Sequence, residues 1–147
     1  MSGEITFEIG NAPDLIERAQ RIRRTVFVIE QNVAPDEEWD GKDEECFHFL
    51  VKDDVDGEDI ATGRLMVIDN TAKLQRIAVL RAFRGRAIGQ KLINEMLAHA
   101  RTLDGISNAL LGAQCHAIPF YEKLGFEAFG DVYDDAGIPH RDMTRVL

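Results

Sequence analysis

One stretch of the chain is basic, whereas the rest is strongly acidic. Between Lys73 and Asn94 there is no Asp or Glu, and the basic residues are Lys73, Arg76, Arg81, Arg84, Arg86 and Lys91. Elsewhere, 11 basic residues stand against 26 acidic ones. The centre of the stretch, Arg84-Gly85-Arg86-Ala87-Ile88-Gly89, lies between a strand-like run and a helix-like run. A strand, a glycine-containing turn and a helix start together point backbone N–H groups at an anion. The sequence therefore predicts a phosphate or pyrophosphate ligand here.

Two common phosphate-binding motifs do not fit this turn. A Walker A loop continues with Lys and then Ser or Thr after its last glycine, whereas Gln90 follows Gly89 here. A Rossmann fingerprint needs three glycines at fixed spacing, and this turn has only Gly85 and Gly89. The spacing alone also leaves open that these glycines serve only the close packing of a helix start.

The hydrophobic pattern predicts seven strands and three helices. Residues 88–100 carry an apolar stripe at helical spacing, whereas 109–113 form a continuous apolar run, which is typical of a central strand buried on both faces. The predicted strands are 5–9, 46–51, 60–68, 74–80, 109–113, 126–132 and 143–147, and the predicted helices are 14–27, 90–100 and 118–124. Residues 30–45 are predicted to form a loop or a broken helix.

The composition limits the class of protein. A chain of 147 residues is normally one domain, here 1–147. The net charge of −9 argues against nucleic-acid binding and against adhesion to anionic membranes, because both require a broad basic face. The two cysteines, Cys46 and Cys115, lack the spacing of a metal site or a disulfide framework. We therefore expect no bound metal and a reducing, cytoplasmic location.

A second motif follows the predicted central strand. In Pro119-Phe120-Tyr121-Glu122-Lys123-Leu124-Gly125-Phe126, a short helix would place Tyr121 near the end of that strand. A phenol with a pKa near 10 can protonate a departing thiolate. The alternative is that Tyr121 is a core aromatic residue whose hydroxyl is already bonded.

Together these motifs resemble the GNAT acyltransferase superfamily. The resemblance rests on Leu74-Gln75-Arg76-Ile77-Ala78-Val79, on the turn 84–89, and on Phe120-Tyr121 with Gly125-Phe126. Residues 24–31, 113–117 and 136–140 further resemble the ElaA-like branch. The resemblance implies an α/β (α+β) GNAT-like fold: a single mixed, mostly antiparallel sheet of six to seven strands, about four flanking helices, and splayed fourth and fifth strands.

The resemblance also implies acetyl-CoA as cofactor and CoA as product. The pyrophosphate would lie on the backbone of Arg84, Gly85, Arg86, Ala87, Ile88 and Gly89, and the pantetheine arm would pair with Ile77, Ala78 and Val79 like an added strand. Tyr121 would be the general acid. The family's first motif glycine is Ala87 here, and alanine costs little at that position unless a positive φ is required.

The general base is left open between three residues. The carboxylate that some relatives carry on the fourth strand is absent, because Gln75 and Arg76 occupy that region. Glu30, His116 and His140 are the candidates, and each could equally have a structural role. A nucleophilic Cys115 is disfavoured because the family transfers the acyl group directly. The acidic run 36–40 could attract a cationic amine, but a solvated loop is the simpler interpretation.

The sequence thus predicts an enzyme that transfers an acetyl group from acetyl-CoA to a primary amine by direct attack. A small-molecule amine is the expected partner, and the resemblance also admits a homodimer. The alternatives are a catalytically silent CoA-binding sensor or interaction module and an unrelated nucleotide-phosphate binder. The second is disfavoured because no Mg²⁺ ligand accompanies the turn.

Overall fold

A computed structural model describes residues 4–147 and shows one seven-stranded sheet with helices on both faces. The strands are β1 (Ile5–Gly10), β2 (Phe47–Asp53), β3 (Glu58–Ile68), β4 (Thr71–Val79), β5 (Asn108–Gln114), β6 (Glu127–Asp135) and β7 (Ile138–Val146). The helices are α1 (Pro13–Arg23), α2 (Pro35–Glu38), α3 (Ile88–Arg101) and α4 (Ile118–Glu122). A π-helical segment (Arg24–Glu30) continues α1, and short 3₁₀ turns cover Asp43–Glu45, Arg81–Phe83 and Cys115–Ala117. Among these described residues, no helix is both long and apolar enough to cross a membrane.

The strands run in the order β1-β2-β3-β4-β5-β7-β6. The first four form an antiparallel meander, and β7 pairs antiparallel with both β5 and β6. Among the described residues, only β4 and β5 pair in parallel, over three residues from Thr71–Asn108 to Lys73–Leu110. The prediction of a mixed, mostly antiparallel sheet with four helices is confirmed.

The core lies on both faces of the sheet because successive strand residues point to opposite sides. On one face, the apolar stripe of α3 packs against Phe49, Leu65 and Leu111. On the other face, α1 and the π-helical segment pack against Leu50 and Ala78. Both long helices are therefore fixed to the strands that border the β4–β5 gap.

A β-bulge in β4 separates it from β5. Gly63 of β3 lies opposite an extra residue on β4, because the register shifts between Thr62–Ala78 and Arg64–Gln75. Arg76, at the bulge, has a φ of +54°. A Cβ atom at position 63 would lie 2.7 Å from the Met96 sulfur, so only glycine fits there without movement. Beyond Lys73, β4 pairs with no described residue of β5, and the two strands diverge.

The expected burial of β5 on both faces is wrong. Ala109, Leu111 and Ala113 are buried, but Leu110 is only half-buried and Gly112 is exposed. Leu111 and Gly112 line the gap that forms where β4 diverges from β5. The apolar run is thus partly the wall of a cavity.

Candidate active site

The gap between β4 and β5 opens into a cavity of about 850 Å³. Its lining includes three groups of residues that are far apart along the chain: the end of β4 with the following turn, the start of α4, and the β6–β7 hairpin. The candidate residues that line it are Glu30, Ile77, Ala78, Val79, Arg84, Gly85, Ala87, Ile88, Gly89, His116, Tyr121 and His140. Arg86 does not line the cavity, and its guanidinium lies 5.3 Å from the centre of the Phe83 ring.

The turn before α3 has the backbone form of an anion site. Gly85 and Ala87 both have left-handed backbone conformations, with φ of +79° and +60°. No side chain among residues 4–147 caps the helix, and the first backbone hydrogen bond of the helix is donated by the Lys91 N–H to the Ala87 carbonyl oxygen at 3.1 Å. The N–H groups of Ile88, Gly89 and Gln90 therefore precede the helical hydrogen bonds and donate to no described residue. They are available to a ligand at the positive end of a 14-residue helix.

Two candidates from distant parts of the sequence form one ion pair. The Arg84 guanidinium donates to both Glu30 carboxylate oxygens, at 2.6 and 2.9 Å, and its Nε donates to the Val79 carbonyl at 2.9 Å. These contacts tie the π-helical segment to the end of β4. Arg84 holds the pKa of Glu30 below its ordinary value, so this carboxylate is a weak proton acceptor.

Tyr121 of α4 lines the cavity. Its ring makes edge-on contacts with Phe120 and Phe126, with centroid distances of 5.0 and 6.0 Å. Burial raises the pKa of Tyr121 to about 12. Its hydroxyl forms no hydrogen bond with any residue between 4 and 147, so the alternative of a core tyrosine with a bonded hydroxyl does not describe it. This phenol remains protonated at neutral pH.

His140 of β7 is 9% exposed, and its Nδ1 lies 2.8 Å from the Ile138 carbonyl oxygen. That contact requires a proton on Nδ1, which leaves Nε2 of the neutral ring as an acceptor. Within the part of the chain that the structure describes, Nε2 has no hydrogen-bond partner. His140 therefore has a fixed tautomer and an unused lone pair at the cavity wall.

Two further residues of this wall, Tyr133 and Asp142, were not found by the sequence reasoning. The Tyr133 ring stacks on His140 with centroids 5.9 Å apart, and its hydroxyl donates to Asp142 Oδ1 at 2.7 Å. Burial and the Asp142 carboxylate keep the pKa of Tyr133 well above its ordinary value. The turn sequence Asp134-Asp135-Ala136-Gly137 was the available signal, because it marks a hairpin that continues both strands past these residues.

His116 is exposed, and its Nε2 lies 2.7 Å from the side-chain oxygen of Gln114. Gln114 in turn donates to the Gln31 side chain at 3.0 Å. This chain of side chains connects the end of β5 with the end of the π-helical segment. His116 thus borders the cavity but is already bonded within a bridge between two elements.

A buried ion network lies beside the cavity. Asp43 Oδ1 accepts from Arg23 at 2.7 Å and from Arg64 at 2.8 Å, and Arg23 also donates to Glu38 at 2.6 Å. Arg23 and Arg64 are at most 1% exposed. Burial raises the pKa of Glu38, although the positive charges of Arg23 and Arg76 act to lower it. The interpretation of 36–40 as a solvated loop is wrong for Glu38, which is 3% exposed.

Several known proteins are similar to this chain in both sequence and fold. A family model described as an acetyltransferase (GNAT) domain matches residues 21–147. The chain belongs to the GNAT acetyltransferase family. It is 37% identical to the uncharacterized N-acetyltransferase YjcF of Bacillus subtilis, over 93% of this chain and 96% of YjcF. It is 32% identical to the protein ElaA of Escherichia coli, over 85% of this chain and 83% of ElaA. The predicted resemblance to the GNAT superfamily, including ElaA, is confirmed.

Solved structures of GNAT proteins superimpose on nearly the whole chain. The crystal structure of Escherichia coli ElaA matches with a TM-score of 0.85 and 28% identity, over 97% of this chain and 99% of ElaA. An acyl-CoA N-acyltransferase from Pseudomonas aeruginosa matches with the same TM-score at 26% identity, again over 97% and 99% of the two chains. The GNAT fold predicted from the sequence, with its splayed β4 and β5, is confirmed.

Proposed function

We propose that this GNAT protein transfers the acetyl group of acetyl-CoA to a primary amine by direct attack. The observation that carries the proposal is a single cavity that joins an uncapped helix N-terminus, a strand edge without a partner, and the free hydroxyl of Tyr121. These are the three features that a long, anionic thioester cosubstrate needs. The Pseudomonas aeruginosa relative is an acyl-CoA N-acyltransferase by name, which supports the same cosubstrate class.

The residues of the turn fit a pyrophosphate. The N–H groups near Ala87, Ile88 and Gly89 would bind its oxygens, and Arg86 would add positive charge from the rim of the cavity. Space is available, because a Cβ atom at Gly85 would meet no atom within 4 Å. Arg84 contributes by fixing the turn to Glu30 and Val79 rather than through a free guanidinium.

The unpaired edge of β4 fits a pantetheine arm. Leu80 N donates to the Ile60 carbonyl of β3 at 2.9 Å. Because successive N–H groups of a strand point to opposite edges, the N–H of Val79 faces the gap toward β5. The Ile77–Val79 backbone could therefore pair with the amides of the arm, as an added strand does. The Val79 N–H is also our candidate donor to the oxyanion that develops on the thioester carbonyl.

Acetyl-CoA supplies an activated acyl group as a thioester. The amine nitrogen forms a bond with the carbonyl carbon, and the C–S bond breaks. We assign removal of the amine proton to His140, because its Nε2 is an unused acceptor on the cavity wall. We assign protonation of the departing sulfur to Tyr121, because burial raises its pKa to about 12 and keeps the proton on the phenol until the thiolate forms. Glu30 becomes a positioning residue because its carboxylate is held by Arg84, and His116 remains the second candidate base.

The proposed cellular setting rests on the cysteines. Cys46 and Cys115 are both free thiols, which fits the reducing cytoplasm that we propose as the location. A small amine is the proposed acceptor because the cavity is enclosed by β4, β5, α4 and the β6–β7 hairpin. The homodimer that the resemblance admits stays a prediction.

The test of this function combines CoA binding with thiol release. We expect the Gly85→Ala variant to bind CoA at least about 10-fold more weakly by calorimetry, because a left-handed backbone disfavours alanine by about 1–2 kcal/mol and distorts the turn. Gly105→Ala is the matched control. Gly105 also has a left-handed backbone, with φ of +77° and open space around it, but it lies outside the cavity.

Equal CoA affinity of the two glycine variants would overturn the assignment of the turn. A panel of primary amines should release free thiol from acetyl-CoA with the wild-type protein. If CoA binds at the turn but no amine releases thiol, the transferase proposal fails and the alternative of a CoA-binding sensor replaces it.

A further inference from the structure

The carboxylates that line the cavity fall into two groups. Glu30 and Glu38 are paired with arginines, at 2.6 Å in each case. Glu37 of α2, which is exposed, and Asp135 and Asp142 of the β6–β7 hairpin also line the cavity, but within residues 4–147 no Lys, Arg or His nitrogen lies within 4 Å of these three carboxylates. Two of these three unpaired carboxylates thus belong to the hairpin that also carries His140.

Asp142 is held in a defined orientation. The Tyr133 hydroxyl donates to its Oδ1 at 2.7 Å, which leaves Oδ2 without a hydrogen-bond partner in the described chain. Tyr133 reaches this position only because residue 112 of β5 is glycine, since any side chain there would collide with the tyrosine hydroxyl. Residues of β5, β6 and β7 therefore fix the orientation of the Asp142 carboxylate and leave its Oδ2 atom free. Such a fixed carboxylate differs from a cluster of surface acids.

The neighbouring His140 independently indicates that a ligand binds this wall. It is more than nine-tenths buried, it lines the cavity, and its Nε2 has no partner among the described residues. His140 and Asp142 are two residues apart on β7, so their side chains leave the same face of the sheet. Their Cα atoms are separated by roughly 7 Å, the length of two strand residues. A proton acceptor and a fixed carboxylate thus stand side by side.

We infer that the acceptor amine carries a second positive charge, which Asp142 binds while the reacting nitrogen lies at His140. The inference rests on the proposed transferase function and adds to it the substrate class: a short aliphatic diamine rather than a monoamine with an apolar tail. Tyr133 orients the carboxylate through its hydroxyl. Asp142 is the specificity-determining residue of this wall.

The test compares two acceptors of similar shape, 1,4-diaminobutane and n-butylamine, by thiol release from acetyl-CoA. We expect wild-type kcat/KM to favour the diamine by about 10- to 100-fold, the usual effect of one charge-assisted hydrogen bond. Asp142→Asn keeps the shape and the bond from Tyr133 but removes the charge. It should abolish the preference by raising the KM of the diamine, with little change for butylamine.

Asp131→Asn is the matched control, because Asp131 is an exposed acid of the same hairpin that does not line the cavity. It should keep the full preference for the diamine. Tyr133→Phe keeps both the ring and the carboxylate charge, and it should lose part of the preference. Similar kcat/KM for the two amines in wild type, or an unchanged preference in Asp142→Asn, would overturn the inference and leave the transferase function intact.

Binding separates the failure of this inference from the failure of the function. Calorimetry with 1,4-diaminobutane and the CoA-loaded protein should show weaker binding to Asp142→Asn than to Asp131→Asn. If that difference is found but no amine releases thiol, the diamine site stands and the transferase function fails. If the two variants bind the diamine equally, the assignment of Asp142 is wrong.

Discussion

Two polar regions border the same cavity, and they differ in how completely their groups are bonded. In the ion network of Arg23, Glu38, Asp43 and Arg64, each charged side chain contacts an opposite charge within 3 Å. In the wall of Tyr133, His140 and Asp142, a ring nitrogen and a carboxylate oxygen have no partner among the described residues. Burial alone does not distinguish the regions, because His140 is about as buried as Asp43.

The difference indicates what each region contributes. A buried charge without a partner costs several kcal/mol, so a bonded network fixes the loop that carries it. The network holds residues 38–43 against α1 and β3 and thereby shapes one side of the cavity. Groups left without partners contribute nothing comparable to folding, and they remain free to bind a substrate. Substitutions should therefore affect stability in the network and catalysis at the wall.

The largest expected effect is on the stability of the network. Asp43→Asn removes the charge that Arg23 and Arg64 share, at 2.7 and 2.8 Å, and leaves two buried guanidinium groups undercompensated. We expect the free energy of unfolding to fall by about 3–5 kcal/mol, measured by urea denaturation. The control is Glu17→Gln, which breaks an exposed pair with Arg21 and should cost less than about 0.5 kcal/mol. If Asp43→Asn and Glu17→Gln lowered the free energy of unfolding equally, the buried network would stabilise the fold no more than an exposed ion pair does.

At the wall of the cavity, Tyr121→Phe should lower kcat by about 10²-fold or more, because the departing thiolate loses its proton donor. The ring contacts with Phe120 and Phe126 are kept, so the unfolding free energy and the KM for acetyl-CoA should change little. Tyr133→Phe is the informative comparison, since it should act mainly on the KM of the acceptor. Steady-state kinetics with both substrates varied would show whether the two tyrosines separate in this way. Unchanged kcat in Tyr121→Phe would remove this residue from its assigned role.

Acid should weaken the network in a defined pH range. The bonds from Gln20, Arg23 and Arg64 lower the pKa of Asp43 to about 2 despite its burial, compared with 3.8 ordinarily. Because the folded state binds this proton less tightly than the unfolded state, the stabilisation is complete above about pH 4 and is lost as the pH falls to about 2. The contribution amounts to about 2 kcal/mol. Urea denaturation across this range should therefore show a steeper loss for wild type than for Asp43→Asn, and parallel curves would contradict the assignment.

The features that the sequence predicted well are local in the chain. The α3 helix, the turn before it and the run of β4 lie within about 30 residues, and each has a periodicity or a turn residue of its own. The family resemblance supplied the splay of β4 from β5. The π-helical form of residues 24–30 has no such signal, although its bond from Gln31 to Val26 turns Glu30 toward Arg84.

The site features that were missed depend on contacts between distant residues. Glu30 and Arg84 are 54 positions apart, and Asp43 and Arg64 are 21 apart. The hairpin was also predicted too short, at 126–132 and 143–147, because acids and Pro139 are rare in strands. The acids of β6 are tolerated because β6 is an edge strand, where charged residues face water. Pro139 is tolerated on β7 because the pairing of β7 with β5 ends at His140. Tyr133 and Asp142 lie between these two predicted strands, whereas His140 was predicted to begin the last strand.

The smallest expected effect concerns the turn itself. Ala87 has a φ of +60°, so this position does require the left-handed conformation for which glycine is suited. Ala87→Gly should raise the free energy of unfolding by about 1 kcal/mol and leave CoA binding intact, because the backbone N–H groups stay in place. Ala98→Gly, at an exposed interior position of α3, should instead lower it by about 1 kcal/mol. If Ala87→Gly raises the free energy of unfolding and Ala98→Gly lowers it, the backbone strain lies at the proposed phosphate turn. If both variants are less stable than wild type, Ala87 is unstrained.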